Sequence, residues 1–323
     1  MRVDVMEHYS LGKPLDHVGY YETAHHKQLL KDIKGAIWEG KLIAVCGVVG
    51  SGKTVLLRRL TKALKEEKKI IVSKSVAVDK HNVKLGTLIE ALYYDLSAKD
   101  RVKIPKKIED RDRQLQELIV KGKRPVVLLV DEAHDLNGHT LTGLKRLMEL
   151  AQDVDGLLSV VLAGHPKLRN DLLKDTMEEI GYRTAFFTLD GIATHQREYI
   201  EWLLHECTEG KTPVDSILAE DAIVMLSTKL RTPLQIQLHL SRALEAGYDI
   251  GGGPVSAETV ETVMSRHIDD MEPTLTRHGY RMKDLVEVFD AKPAEFKALF
   301  NNELDAERAA EIRGKLLAAG LPI

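Results

Sequence analysis

Gly47-Val48-Val49-Gly50-Ser51-Gly52-Lys53-Thr54 follows the spacing G-x-x-x-x-G-K-[ST], and it stands between an apolar run, KLIAVC, and a helix-like run, TVLLRRLTKALKEEKK. A turn between a buried strand and a helix is the context that gives this pattern chemical meaning. Glycines let backbone N–H groups curl around a phosphate chain, and the helix start adds the positive end of its dipole. A lysine then reaches the β- and γ-phosphates while a hydroxyl ligates Mg²⁺. On this reading Gly47, Val48, Val49, Gly50, Ser51, Gly52, Lys53, Thr54 and Val55 hold ATP or ADP, Lys53 also serves catalysis, and Thr54 is a metal ligand.

A second set of residues stands at the end of another apolar run. Val126–Val130 leads directly into Asp131-Glu132, followed by Ala133-His134. Ligands of parallel sheets bind at the carboxyl ends of strands, so Asp131 is placed to hold Mg²⁺ through water and Glu132 to polarise the water attacking a γ-phosphate. Without the phosphate loop upstream, the same pair would read as two solvated acids ending a strand. His165 closes the run LLSVVLAG, where it could contact the γ-phosphate or the attacking water; the competing reading is a histidine that only begins the turn before Pro166. His134 and His139 lack any Cys/His/Asp partners at zinc spacing and are expected on the surface or behind the site.

These residues need a scaffold of alternating strands and helices. Residues 22–40 show apolar positions at helical spacing, and KLIAVC, KIIVSKSVAV, RPVVLLV, LLSVVLAG and TAFFTL read as five strands. Most are separated by helical segments, including VKLGTLIEALYYDL, DRQLQELIVKGK and a helix around Pro166–Ile180. That alternation predicts an α/β, doubly wound parallel sheet. From about Thr194 the strand signal ends, and HQREYIEWLLHECTEG, LAEDAIVMLSTKL, TPLQIQLHLSRALEAGYD and SAETVETVMSRHIDD carry helical periodicity. The last stretch has turn breaks at Asp290–Pro293 and Asn301–Leu304. The expected domains are 1–192 (nucleotide-binding), 193–272 (helical lid) and 273–323 (a small helical unit).

Composition narrows the functional classes. Of 323 residues, 44% are hydrophobic and 29% charged, which is ordinary for a globular protein. No run of about 18 apolar residues occurs and no signal-peptide pattern opens the chain, so a cytoplasmic protein without membrane partners is expected. Cys46 and Cys207 both lie in apolar runs and read as reduced packing residues. The net charge of −3 gives no global sign of nucleic-acid binding, yet residues 65–124 hold 16 Lys and Arg against 10 Asp and Glu. Basic charge is thus concentrated in one stretch.

GVVGSGKT, LLVDEAHDL, VVLAGHPKLRNDL and TPLQIQLHLSRALEAG together resemble the AAA+ ATPases that assist DNA transposases, the TnsC, TniB and IstB type, related to the secretion ATPase ExeA. The resemblance covers about residues 8–270. It implies a P-loop AAA+ core with a helical lid, and an adenine pocket lined from the stretch before the first strand, with Tyr21 and His25 as its candidates. It also implies an arginine finger reaching the neighbouring subunit's nucleotide, which falls on Arg183, with Arg169 as the alternate. The family's lid motif, Gly-x-Pro-Arg, is replaced by Arg231-Thr232-Pro233-Leu234, so either Arg231 contacts phosphate from two residues earlier or that contact is absent.

The implied activity is ATP hydrolysis by a homo-oligomeric ring or helical filament that binds double-stranded DNA and recruits or activates a transposase. Lys80, Lys84, Lys103, Lys106 and Lys107 lie in the basic connections and are the candidates for phosphate-backbone contact. No aromatics interleave them, which favours duplex tracking over single-strand stacking. The competing classes are a secretion-associated ATPase of the ExeA kind, expected to carry a membrane span and a periplasmic domain, and a generic protein-remodelling or signalling ATPase. The mixed charge of the last unit favours docking of a protein there over reading of DNA.

Overall fold

The structure is a computed structural model that describes residues 1–74, 84–97, 103–264, 270–289, 291–301, 303–319 and 321. Two compact units emerge from the contacts along the chain. The first comprises residues 25–48 and 53–189; the second comprises residues 1–24, 49–52 and 190–323.

The first unit is built on a parallel sheet of β1 (Leu42–Cys46), β2 (Ile71–Lys74), β3 (Val126–Val130), β4 (Leu158–Gly164) and β5 (Thr184–Thr188), ordered β2-β3-β4-β1-β5. Every residue of β1, β3 and β4 is buried, which is why these segments read as unbroken apolar runs rather than alternating ones. Fully burying each Val, Leu or Ile contributes about 1.5–3 kcal/mol. One face of the sheet packs Leu42, Ala44, Leu128, Val160 and Leu162 against helices supplying Leu88, Leu115 and Leu144; the other packs Ile43, Val45, Leu129 and Val161 against Ile33, Leu56 and Leu60. The α/β fold with a parallel sheet is the one the sequence predicts.

The helices of this unit follow the periodic segments closely: α2 (Ala24–Trp38, its first residue counted with the second unit), α3 (Lys53–Glu67), α4 (Leu85–Ser97) and α5 (Ile108–Gly122). Helix α6 (Gly138–Gln152) was not anticipated from the sequence. Two glycines and two threonines weaken its first half, but the Asn137 side chain accepts a hydrogen bond from Thr140 N and starts it. The single helix expected around Pro166–Ile180 is instead α7 (Pro166–Leu172), an extended Lys174, a 3₁₀ turn and α8 (Glu178–Gly181).

In the second unit, α1 (Val3–His8) packs Val5, together with Tyr9, Leu11 and Leu15, into a core shared with α9 (Gln196–Cys207), α10 (Glu220–Lys229), α11 (Pro233–Ile250) and α12 (Ala257–Val263). A separate core joins α13 (Met271–Arg277), α14 (Met282–Phe289), α15 (Pro293–Phe300) and α16 (Ala306–Ala318) around Phe296, Leu299, Ile312 and Leu316. Asp290, part of one expected turn break, lies outside the described residues. Among the described residues no helix is long and apolar enough to cross a membrane.

Candidate active site

The loop after β1 is shaped by its glycines. Gly47 N donates to Gly164 O at 3.1 Å, tying the loop's first residue to the end of β4. Gly50 and Gly52 sit at φ +81° and +100°, a region that glycine enters without the Cβ penalty of other residues. Lys53 then opens α3 with 7% of its surface exposed, and its ammonium donates to Gly47 O at 2.8 Å and Val48 O at 3.0 Å. Burial lowers the Lys53 pKa, and the charges of Glu132 and Asp131 oppose that shift.

Across the sheet the acids come to the same place. Thr54 Oγ1 donates to Asp131 Oδ2 at 2.9 Å, although the two residues are 77 apart in sequence. Asp131 Oδ1 accepts from Glu132 N at 3.0 Å, and Glu132 itself adopts a left-handed φ of +54°, uncommon for a residue with a side chain. From there its carboxylate faces two histidines: Oε2 is 3.5 Å from His134 Nδ1 and 4.0 Å from His165 Nε2. The two rings stack on each other with centroids 3.7 Å apart.

Gly164 explains how the histidines come so close. A Cβ there would stand 3.0 Å from His134 N and 2.9 Å from a Leu168 methyl, so glycine lets the end of β4 lie against the turn after β3 without a shift of either neighbour. His165 immediately precedes α7, with Pro166 in the first turn, and its ring faces Glu132. His134 is buried behind Glu132, whereas His139 is exposed on α6. The pairing of His134 with His165 was missed because the two are separated in sequence and meet only through the β3–β4 register.

The remaining candidates are distributed more widely. Val49 and Val55 are exposed, and Ser51 is buried. Within the second unit Val49 N donates to Arg277 O at 3.0 Å, and a Cβ on Gly50 would meet Leu234 Cβ at 2.6 Å. Leu234, where the resembling family carries its lid arginine, therefore lies against Gly50. Arg231 is exposed, its N–H bonded to Gln235 Oε1, while Thr232 caps α11. Tyr21 packs edge-on against Tyr199 at 5.5 Å and at a tilt against Trp202 at 5.2 Å; His25 is exposed on α2, in the other unit.

Arg183 immediately precedes β5 and is 68% exposed, with Glu149 Oε1 at 3.8 Å. Since Thr184 pairs with Leu42 and Thr188 with Cys46, Arg183 lies at the opposite end of the sheet from the Lys53 loop. Arg169 lies over the Phe186 ring at 5.7 Å. Lys84, Lys103, Lys106 and Lys107 are all exposed, and Lys80 lies outside the described residues. Burial pushes the Cys46 and Cys207 thiols up to about 11, as expected of inert packing residues.

The donor set fits magnesium nucleotide. A hydroxyl and a carboxylate converge beside a buried ammonium and a glycine loop, which suits a hard cation with oxygen ligands and an anionic phosphate chain. Lys53→Ala removes the buried ammonium and is expected to weaken binding of a fluorescent ATP analogue by about 10²-fold or more, the loss of roughly 3 kcal/mol of charge-assisted hydrogen bonding. Unchanged affinity in a folded variant would contradict the assignment of the loop.

Residues 39–172 match the family model of an AAA domain. General secretion pathway protein A of Aeromonas hydrophila is 30% identical over 167 residues, which are 50% of this chain and 29% of that protein. Among solved structures, the ORC2 protein of Aeropyrum pernix superposes with a TM-score of 0.53 at 13% identity, covering 95% of this chain and 82% of that one. Cdc6p of Pyrobaculum aerophilum does so with a TM-score of 0.51 at 16% identity, covering 94% and 88%. Residues 39–172 thus resemble an AAA domain, in a chain that shares the fold of these solved proteins.

Proposed function

We propose that the chain is an ATP-hydrolysing regulator of DNA transposition, which assembles with ATP on duplex DNA and engages a transposase. The observation that carries its ATPase part is the convergence of Thr54, Asp131 and Glu132 beside the Lys53 loop. Lys53 and the loop amides hold the phosphates, and Thr54 and Asp131 hold the metal. Bound magnesium supplies neutralisation of phosphate charge. Glu132 accepts the proton of the attacking water, and His165 orients that water or the γ-phosphate. The solved ORC2 protein carries ADPNP and ADP, which supports a nucleotide in a fold of this kind.

The DNA part rests on the resemblance of the motifs to transposition ATPases and on the exposure of Lys84, Lys103, Lys106 and Lys107. Duplex binding is expected to require ATP, to show little sequence preference and to weaken steeply with salt, because lysine–phosphate contacts release counterions. Neutralising Lys103, Lys106 and Lys107 together should lower affinity about equally for unrelated sequences and flatten the salt slope by up to about 3. Normal binding by that variant, alongside loss of binding on deleting residues 276–323, would move the contact to the C-terminal helices.

Assembly into a cytoplasmic ring or filament explains why Arg183 stands away from its own phosphate loop: it serves a neighbour's nucleotide. Arg183→Ala should lower hydrolysis and ATP-dependent assembly while sparing nucleotide affinity. Mixing it with Glu132→Gln subunits should restore some turnover; mixed oligomers without recovery would leave Arg183 a structural residue.

A secretion-associated ATPase is the second reading, favoured by the likeness to general secretion pathway protein A. Co-sedimentation with duplex DNA, with and without ATP, separates the two: binding supports the transposition reading, and its absence at low salt removes that reading's physical basis.

A further inference from the structure

We propose that Glu132, His134 and His165 form a binding site for a transition metal of the zinc class, distinct from the oxygen-ligand magnesium site at Thr54 and Asp131. One ligand atom from each of the three lies within 4.8 Å of the others. None of the three is fully exposed: the side chains of His134, His165 and Glu132 keep 7%, 15% and 30% of their surface accessible.

Two imidazoles and one carboxylate are a donor set that Zn²⁺ takes with bonds of about 2.0–2.2 Å, leaving a fourth position for water. Tetrahedral bonds of that length put donors about 3.3–3.5 Å apart. The present separations of 3.5 and 4.0 Å to Glu132 Oε2 therefore need to close by up to about 0.7 Å, and the two imidazole nitrogens, which lie within 4.8 Å of each other, by up to about 1.5 Å. The stacked rings, tilted 27° to each other, must turn further about χ2 so that their lone pairs converge.

Magnesium is a poor occupant of this set, because it prefers oxygen ligands and octahedral geometry, whereas imidazole suits zinc, copper and nickel. The other ring nitrogen of His134, Nε2, has Asp135 Oδ2 at 4.0 Å. A carboxylate on that side is how metal-binding histidines are commonly oriented. Three backbone features hold the cluster: the left-handed Glu132, the 3₁₀ turn at Ala133–Asp135, and Gly164, which lets the two histidine-bearing segments touch.

Occupancy takes up the Glu132 carboxylate. Insofar as the proposed role of Glu132 in activating water holds, zinc slows ATP hydrolysis without displacing nucleotide from the Lys53 loop. Binding of the metal itself does not depend on that role.

The test titrates the full chain, free of nucleotide, with Zn²⁺ alone against a chromophoric chelator, and separately records visible absorption with Co²⁺. One site per chain is expected, with four-coordinate cobalt absorption. His134→Gln and His165→Gln should each weaken that site at least tenfold, while His139→Gln, at an exposed position, leaves it unchanged; circular dichroism checks that each variant folds. A chain that binds no stoichiometric metal, or whose binding is unchanged in folded His134→Gln and His165→Gln, overturns the site. If a variant does not fold, the intact chain decides, since octahedral cobalt absorption or none overturns the site equally. None of these readouts uses hydrolysis, so a failed metal titration leaves the ATPase reading intact, and an inactive enzyme leaves the metal site intact.

Discussion

Three adjacent strands run parallel with β4 between β1 and β3, and the site depends on that arrangement. Parallel pairing delivers the carboxyl ends of all three strands to one edge of the sheet. The phosphate loop leaves β1, Asp131 and Glu132 follow β3, and His165 follows β4. The hydrogen bond from Thr54 to Asp131 joins the outer two of these strand ends, and the contact of Glu132 with His165 joins the adjacent ends of β3 and β4. A strand slipped by one residue would reverse the faces of its side chains, and the burial of β1, β3 and β4 on both sides resists such a slip.

Much of this was legible from the chain because the chemistry is local. Gly47 through Thr54 carry their own geometry, and Asp131-Glu132 carry theirs once the apolar run before them is read as a strand. What periodicity could not supply were contacts between elements. His134 and His165 belong to different strand ends, and neither neighbourhood has metal-ligand spacing. Helix α6 escaped because its first turns hold Gly138, Thr140, Thr142 and Gly143, so Asn137 was the only strong start signal. The break after Leu172 was hidden too, since the apolar spacing of Leu168, Leu172 and Ile180 reads across it. Exposed lysines such as Lys103 and Lys106 look the same in sequence whether they touch phosphate or only water.

Glu132 concentrates the physical tensions of the site. Its left-handed backbone costs on the order of 1–3 kcal/mol, and its N–H bond to Asp131 together with the tight turn that follows offset that cost. The same conformation aims the carboxylate at His134 and His165 rather than leaving it in open solvent. A carboxylate held beside two imidazoles has its orientation set before any ligand arrives, which is the preorganisation that the proposed general-base role calls for.

The central claim, that Glu132 activates water at a site which binds nucleotide independently of it, is tested most directly by comparing nucleotide affinity with turnover in Glu132→Gln. The amide keeps the shape of the side chain and loses the charge. The account predicts ATP affinity within about twofold of the parent chain and turnover reduced by about 10²-fold or more, the scale of a lost general base. Parental turnover in a folded variant that binds ATP normally would contradict it.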